Sequence, residues 1–343
     1  QGKELDFPVC CIPLREAPLI RAFFFAVVLF LVLPMYALLK KPRFIITTPG
    51  ALTISFVPWK PLLSRCLKTK VILDIRSTPV EIKGARGALS ALFFKISVLV
   101  AKEMFDGITI VTELMREEVS RNFHLDPRVV GVWTNGVSTE LFDPAKYVDE
   151  ALRLREELGL VGKIVVLYHG LFSPGRGIIE TVEGMGKLKY DDIVLFLLGE
   201  GPALPAIEAA IHRDGLQKKV IVHDAVDYTE VPKYIAMSDA GLVPLPNMSD
   251  WVHQNALNLL EYLAMEKPVI VTDIPANRSV VGENKCAIYV PSADPTQFSN
   301  AITYLRDHYK VLEQWAWCGR TLVTHKYSWT TVAERLEDYL TKC

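Results

Sequence analysis

Residues 253 to 273 read His-Gln-Asn-Ala-Leu-Asn-Leu-Leu-Glu-Tyr-Leu-Ala-Met-Glu-Lys-Pro-Val-Ile-Val-Thr-Asp. No other stretch limits the fold as strongly. Leu257, Leu260 and Leu263 recur at helical spacing. Lys267-Pro268 stops that helix, because proline has no N–H to continue it. Val269-Ile270-Val271 then reads as a buried strand ending at Thr272-Asp273. Glu261 sits one turn into the helix. A carboxylate there, facing a strand end, can hold a ribose, and the free N–H groups before it can hold phosphate. The same residues also fit a plain packing unit with a surface Glu.

The alternation of strand and helix recurs along the chain. Strands are predicted at Phe7 to Leu14, Phe44 to Thr48, Val71 to Ile75, Gly107 to Val111, Val129 to Trp133, Ile164 to Tyr168, Ile193 to Leu198, Val220 to Val222 and Ala287 to Val290. Another is expected within Ser238 to Pro244. Helices are predicted at Ala88 to Met104, Glu113 to Asn122, Tyr147 to Leu158, Ile178 to Leu188, Val231 to Met237, Asp294 to His308 and Thr331 to Leu340. No long repeat and no low-complexity tract interrupts them. The class is therefore α/β with parallel sheets. A chain of 343 residues is long enough for two domains.

Charge is unevenly placed. Residues 1 to 105 hold 15 Lys/Arg and 6 Asp/Glu, whereas the rest hold 23 and 33. Ala22 to Leu39 is an uncharged run of 18 residues interrupted by Pro34 and flanked by Arg21, Lys40, Lys41 and Arg43. It reaches the lower edge of a transmembrane length. A buried or membrane-dipping helix is favoured over a spanning one, because a span would put flanking strands on opposite sides of a bilayer. Lys60, Arg65, Lys68 and Lys70 follow Trp59, an aromatic suited to a membrane interface. Attraction to an anionic membrane surface is expected, and no motif supports nucleic acid. The six cysteines form no C-x-x-C pair, which suits reduced thiols in a cytoplasmic setting. The chain does not begin with Met, so it is expected to start inside a longer product.

The strand at Ile164 to Tyr168 leads into His169-Gly170-Leu171-Phe172-Ser173-Pro174-Gly175-Arg176-Gly177 and then a helix. Strand, glycine-rich turn, basic residue and helix make a phosphate cradle. Arg176 is its bidentate cation. By itself such a run also fits a structural turn. Arg76-Ser77 follows another strand end, where parallel sheets place their ligand crevice.

Taken together these runs resemble the GT-B glycosyltransferases, specifically the large retaining family four. The resemblance rests on Leu259 to Ile270, on Asn135-Gly136-Val137 through Phe142 to Pro144, on Gly170 to Gly177, on Gly199-Glu200-Gly201-Pro202, and on Asp74-Ile75-Arg76 with Pro79 and Glu81. It covers residues 70 to 340 well and the first 70 poorly, where the family's first strand and glycine loop have no counterpart. Five departures stand out. His253 occupies the family's first Glu position, Asn258 a Lys position and Ser77 an Asp position. Arg176 stands at the family's Lys position and Leu171 at its Arg position.

The resemblance implies two Rossmann-like domains facing a central cleft, with a C-terminal helix crossing back to the first. Residues 1–150 would form the acceptor domain, 151–326 the donor domain and 327–343 the crossing helix. It implies a hexosyltransferase-like enzyme that takes a sugar from a nucleotide-sugar substrate to a glycan or lipid-linked acceptor, with retention. The donor residues would be Gly170, Arg176, Gly199, Gly201, Ala225, Ala256, Leu257, Asn258 and Glu261, with Glu261 on the ribose. Arg176 and His253 would be catalytic, and Arg76 and Ser77 would border the acceptor. No Asp-x-Asp is present, so a metal-free mechanism without a cofactor is expected. Such an enzyme would sit peripherally on the cytoplasmic, inner face of a membrane. A non-catalytic membrane-bound protein or subunit of this fold, and a nucleotide-sugar epimerase, are the other readings.

Overall fold

A computed structural model describes residues 18–79, 85–249, 251–283 and 286–343. The strand expected at Phe7 to Leu14 lies outside the described residues. Two compact units divide the chain, Gln1–Val132 with Leu336–Cys343, and Trp133–Arg335.

The first unit runs α1 (Pro18–Lys40), β1 (Phe44–Thr47), α2 (Ala51–Phe56), β2 (Lys70–Ile75), α3 (Ala85–Met104), β3 (Gly107–Ile110), α4 (Glu113–Phe123) and β4 (Val130–Val132). Its four strands are parallel and ordered β1-β2-β3-β4. The central strand β2 is buried from Val71 to Ile75, as a run of β-formers covered on both faces should be. Thr112 caps α4 by accepting from the Met115 amide.

One side of α1 packs on this unit. Leu33 and Ala37, one turn apart, bury against Phe56, Leu63 and Val71. The Trp59 indole donates to the Phe30 carbonyl at 2.9 Å. The other side presents Leu31, Met35, Tyr36, Leu38 and Leu39 to solvent. The uncharged run is therefore neither wholly core nor wholly surface. Side chains of α1 are described from residue 24 on, residue 26 excepted. Among the described residues no helix is long and apolar enough to cross a membrane. Lys60, expected to face a membrane, instead points inward. It is 8% exposed and its ammonium donates to Ser64 and Asp106. A buried ammonium needs such a carboxylate, and Asp106 supplies it while also accepting from the Val71 amide.

The second unit begins with α5 (Val148–Glu157) and β5 (Ile164–His169), followed by α6 (Ile178–Gly186), β6 (Ile193–Leu198), α7 (Leu204–Arg213) and β7 (Val220–His223). It continues with α8 (Val231–Met237), β8 (Ala240–Val243), α9 (Leu257–Ala264), β9 (Val269–Thr272), α10 (Pro275–Val281), β10 (Ala287–Val290), α11 (Pro295–Lys326) and the first part of α12 (Trp329–Lys342). All six strands are parallel, in the order β10-β9-β8-β5-β6-β7. The chain builds outward from β5 through β6 to β7, then returns to β8 on the other side of β5. Carboxyl ends at such a reversal splay apart and leave a crevice.

Three expectations change. The division falls at Val132/Trp133 rather than at residue 150, because the Asn135 to Pro144 run packs on the second unit. Val137 pairs with Ser328, Gly136 lies under the Trp329 ring, and Phe142 is fully buried in the second unit's core. The helix expected to end at His308 continues to Lys326, since Leu312, Ala316, Gly319 and Val323 extend its buried stripe. At Gly319 a Cβ would come within 2.7 Å of Leu263, so glycine there is a close-packing residue and not a stop. The final helix α12 starts at Trp329 in the second unit, while Leu336–Cys343 count with the first rather than all of 327–343 standing apart. Within the first unit the Tyr339 hydroxyl accepts from the Ile108 amide and donates to the Val129 carbonyl.

Candidate active site

The crevice at the β5/β8 reversal is lined by residues from five places in the second unit. A cavity of about 420 Å³ is bordered by Asn135, Tyr168, His169, Gly170, Arg176, Tyr228, Trp251, Gln254, Asn255, Ala256, Leu257, Asn258 and Glu261. A second, of about 330 Å³, shares His169, Gly170 and Tyr228 with it and adds Leu171, Glu200, Ala225 and Val226. Thus Gly170, Arg176, Ala256, Leu257, Asn258 and Glu261, expected at one donor site, line one cavity, with Ala225 in its neighbour.

The start of α9 is bolted to the end of β5. The Tyr262 hydroxyl donates to the Leu167 carbonyl at 2.9 Å and accepts from the His169 amide at 3.1 Å. Its ring occupies the space beside Gly241, where a Cβ would sit 2.2 Å from it. Asn258, at the position where the resembled subgroup has Lys, donates to the His169 carbonyl at 3.2 Å. These bonds fix Glu261, one residue before Tyr262, against the strand end.

Glu261 is not a surface residue. It is 5% exposed, accepts from the Tyr228 hydroxyl at 2.9 Å, and brings its other oxygen to 3.2 Å from His169 Nε2. That second approach lacks hydrogen-bond geometry. Burial pushes the Glu261 carboxyl from its ordinary 4.5 up to about 7, the Tyr228 bond opposing the rise. Burial pushes His169 from 6.5 down to about 3, so the ring is neutral at physiological pH. A neutral imidazole beside a half-ionised carboxylate makes no salt bridge, and the carboxylate keeps acceptor capacity for hydroxyl groups.

The glycine-rich turn supplies the cation. Gly177, at φ +75°, is the N-cap of α6, and a Cβ there would lie 2.0 Å from the Pro244 carbonyl oxygen. Only glycine lets the turn lie so close to Pro244, the residue just past β8. Arg176 precedes it, with its guanidinium 4.6 Å from the centre of the Trp251 ring. Leu171, at the other expected cation position, is exposed and borders the smaller cavity.

Gly199 and Gly201 line neither cavity. They stand one layer back, where a Cβ would meet the Gly170 carbonyl oxygen at 2.0 Å and the Phe172 carbonyl oxygen at 2.4 Å. They let the β6 turn support the β5 turn. His253 is half-buried and is not among the lining residues, although Trp251, Gln254 and Asn255 around it are. Asn255 is pinned instead, donating to Thr134 at 2.9 Å and accepting from Asn135 through its carbonyl at 3.2 Å.

Sequence reasoning did not single out His169, Tyr228 or Trp251 as lining residues. The sequence places His169 at the head of the glycine-rich run without giving it a role, and nothing local marks Tyr228 or Trp251. Arg76 and Ser77 border a separate cavity of about 470 Å³ in the first unit, with Thr48, Thr78, Ser90, Phe93 and Phe94. Burial lowers the Arg76 pKa, and Asp74 beneath it opposes the shift. Among the described residues no group of three or more His, Cys, Asp or Glu is placed to hold a metal ion.

A six-stranded parallel sheet with this order, opening onto a buried carboxylate and an arginine at its reversal, defines a Rossmann-like ligand-binding unit. Residues 151–321 match the model of the family described as glycosyl transferases group 1. Among curated proteins, an alpha-D-kanosaminyltransferase of Streptomyces kanamyceticus is 23% identical over 84% of this chain and 74% of its own length. A GDP-mannose-dependent alpha-(1-6)-phosphatidylinositol monomannoside mannosyltransferase of Mycobacterium tuberculosis is 26% identical over 60% of this chain and 54% of its own. Against that second relative the chain therefore spans about half the length. Among solved structures, Anabaena HepE in complex with UDP superposes with a TM-score of 0.76 at 13% identity, covering 92% of this chain and 82% of that one. Sucrose-phosphate synthase of Thermosynechococcus elongatus gives 0.75 at 18% identity, covering 96% and 81%. The chain belongs to the group 1 glycosyltransferases and has the GT-B fold.

Proposed function

We propose that the second unit binds a nucleotide-sugar and that the chain transfers its sugar, with retention, to a glycan or lipid-linked acceptor held by the first unit. The observation that carries this reading is Glu261. A carboxylate buried at a sheet reversal, in one cavity with an arginine, is costly unless a ligand uses it. Two adjacent ribose hydroxyls match its two oxygens, and a diphosphate matches Arg176 and the amides at the start of α6. The cavity around Ala225 and Val226 has room for the base. The leaving nucleoside diphosphate gains charge as the glycosidic bond breaks, and Arg176 would stabilise it without a metal. His253 remains our proposal for the residue that contacts the sugar. Arg76 and Ser77 would border the acceptor.

The UDP complexes of HepE and the GDP-mannose dependence of the mycobacterial relative support a nucleotide-sugar donor. The exposed apolar side of α1, with Lys40, Lys41 and Arg43 after it, supports a peripheral seat on an anionic, cytoplasmic membrane face. The test is calorimetric titration of the chain with UDP, GDP and ADP, followed by turnover of the matching nucleotide-sugars. At least one diphosphate should bind, and Glu261→Ala should weaken it by about 1–3 kcal/mol, the scale for an unmatched buried polar partner. Failure of all three to bind would sink the reading. Binding without sugar transfer or hydrolysis would favour a non-catalytic protein of this fold.

A further inference from the structure

We propose that Trp251 is the positioning residue for Arg176, holding the guanidinium by its face so that its edge is presented to a nucleoside diphosphate. The inference rests on the donor reading above.

Two contacts join Trp251 to the glycine-rich turn. Its ring lies under Arg176, 4.6 Å from the guanidinium carbon, and its indole Nε1 donates to the Gly175 carbonyl at 3.2 Å. The residue is 7% exposed and borders the same cavity as Arg176. The loop that carries it is held by its own turns, Trp251 N to the Met248 carbonyl at 2.9 Å and Val252 N to the same carbonyl at 3.1 Å. On the other side, Gly175 and Gly177 both hold positive φ and Gly177 is wedged under Pro244. The backbone of Arg176 thus follows the glycine turn, and its guanidinium lies over the indole.

A guanidinium is planar. Its face stacks on an aromatic ring while its edge donates two parallel N–H bonds to phosphate oxygens. A lysine ammonium has no such division and would gain little orientation from the ring. This gives a physical reason for arginine at a position where the resembled family has lysine. With Leu171 at the other cation position, one oriented fork has more to do than one of two cations.

A packing role alone would leave ligand preference untouched, so the test reads preference. Calorimetry on the full chain compares UDP with uridine, and GDP with guanosine. Trp251→Leu should lower the preference for diphosphate over nucleoside about tenfold, within the range of a desolvated cation–π contact. Nucleoside affinity should stay unchanged. Trp251→Phe, which keeps a ring face, should retain most of the preference. Arg176→Ala combined with Trp251→Leu should lose no more than Arg176→Ala alone. If Trp251→Leu does not fold, Arg176→Lys tests the same stacking with the indole in place and should lose the preference. Equal losses for nucleoside and diphosphate, or an unchanged preference, would overturn the proposal while leaving the donor reading standing. Absence of any diphosphate binding by the wild type would remove both.

Discussion

Replacing Glu261 by Gln should make the protein more stable and a poorer binder of nucleotide. The carboxyl sits at about 7 in the folded chain against an ordinary 4.5, because burial disfavours its charge. Its folded pKa is raised, so its contribution to stability is fullest below pH 4.5 and is lost as pH rises toward 7. By linkage, a shift of that size costs roughly 3 kcal/mol at pH 7 to 8 and about 1 kcal/mol at pH 5. Glutamine removes the titration and keeps an acceptor oxygen for the Tyr228 hydroxyl. Thermal melts at pH 5, 7 and 8 measure the difference. For a unit of this size, roughly 3 kcal/mol corresponds to a rise of about 6–12 °C, shrinking several-fold at pH 5. His169 works in the opposite direction. Its folded pKa of about 3 lies below its ordinary 6.5, so its contribution is present above pH 6.5 and is lost as pH falls toward 3. The comparison between variant and wild type at each pH cancels that effect. A glutamine variant no more stable than wild type at pH 8, or one whose advantage does not shrink at pH 5, would refute the reasoning that the carboxylate is held in strain by burial.

Three further outcomes are expected. Tyr228→Phe removes the bond that lowers the Glu261 pKa, so nucleoside diphosphate affinity, which should rise with pH through about 7 in the wild type, should do so at higher pH in the variant; superimposable pH profiles would count against it. Gly177→Ala places a Cβ 2.0 Å from the Pro244 carbonyl and at a positive φ, so it should lower the melting temperature and diphosphate affinity together, with a stability loss of about 1–3 kcal/mol; an unchanged melt would show that the turn relaxes freely. Leu31 and Leu39 are 64% and 75% exposed, so changing both to Glu should leave the fold intact yet abolish flotation with anionic vesicles at low salt; a wild type that stays in the soluble fraction removes the membrane reading.

What the sequence made legible, and what it did not, divides along a physical line. Strands such as Ile164 to Tyr168 and Ile193 to Leu198 are runs of β-formers, and their identity is carried by adjacent residues. The helix before Lys267-Pro268 announces itself by spacing and stop. By contrast, α7 has no clear start signal beyond Pro205, and its buried Ile207, Ala210 and Ile211 need the sheet to give them meaning. The second half of α11 is read correctly only once Gly319 is seen facing Leu263. The site follows the same rule. Glu261 and Arg176 each stand in a recognisable local run, so each could be named. The properties that matter to their chemistry come from elsewhere: burial and the Tyr228 hydroxyl set the charge of Glu261, and Trp251 lies under Arg176. The reversal of strand order at β5 is what brings these separate segments together. A protonation state and an orientation are properties of that meeting, and no window of sequence contains it.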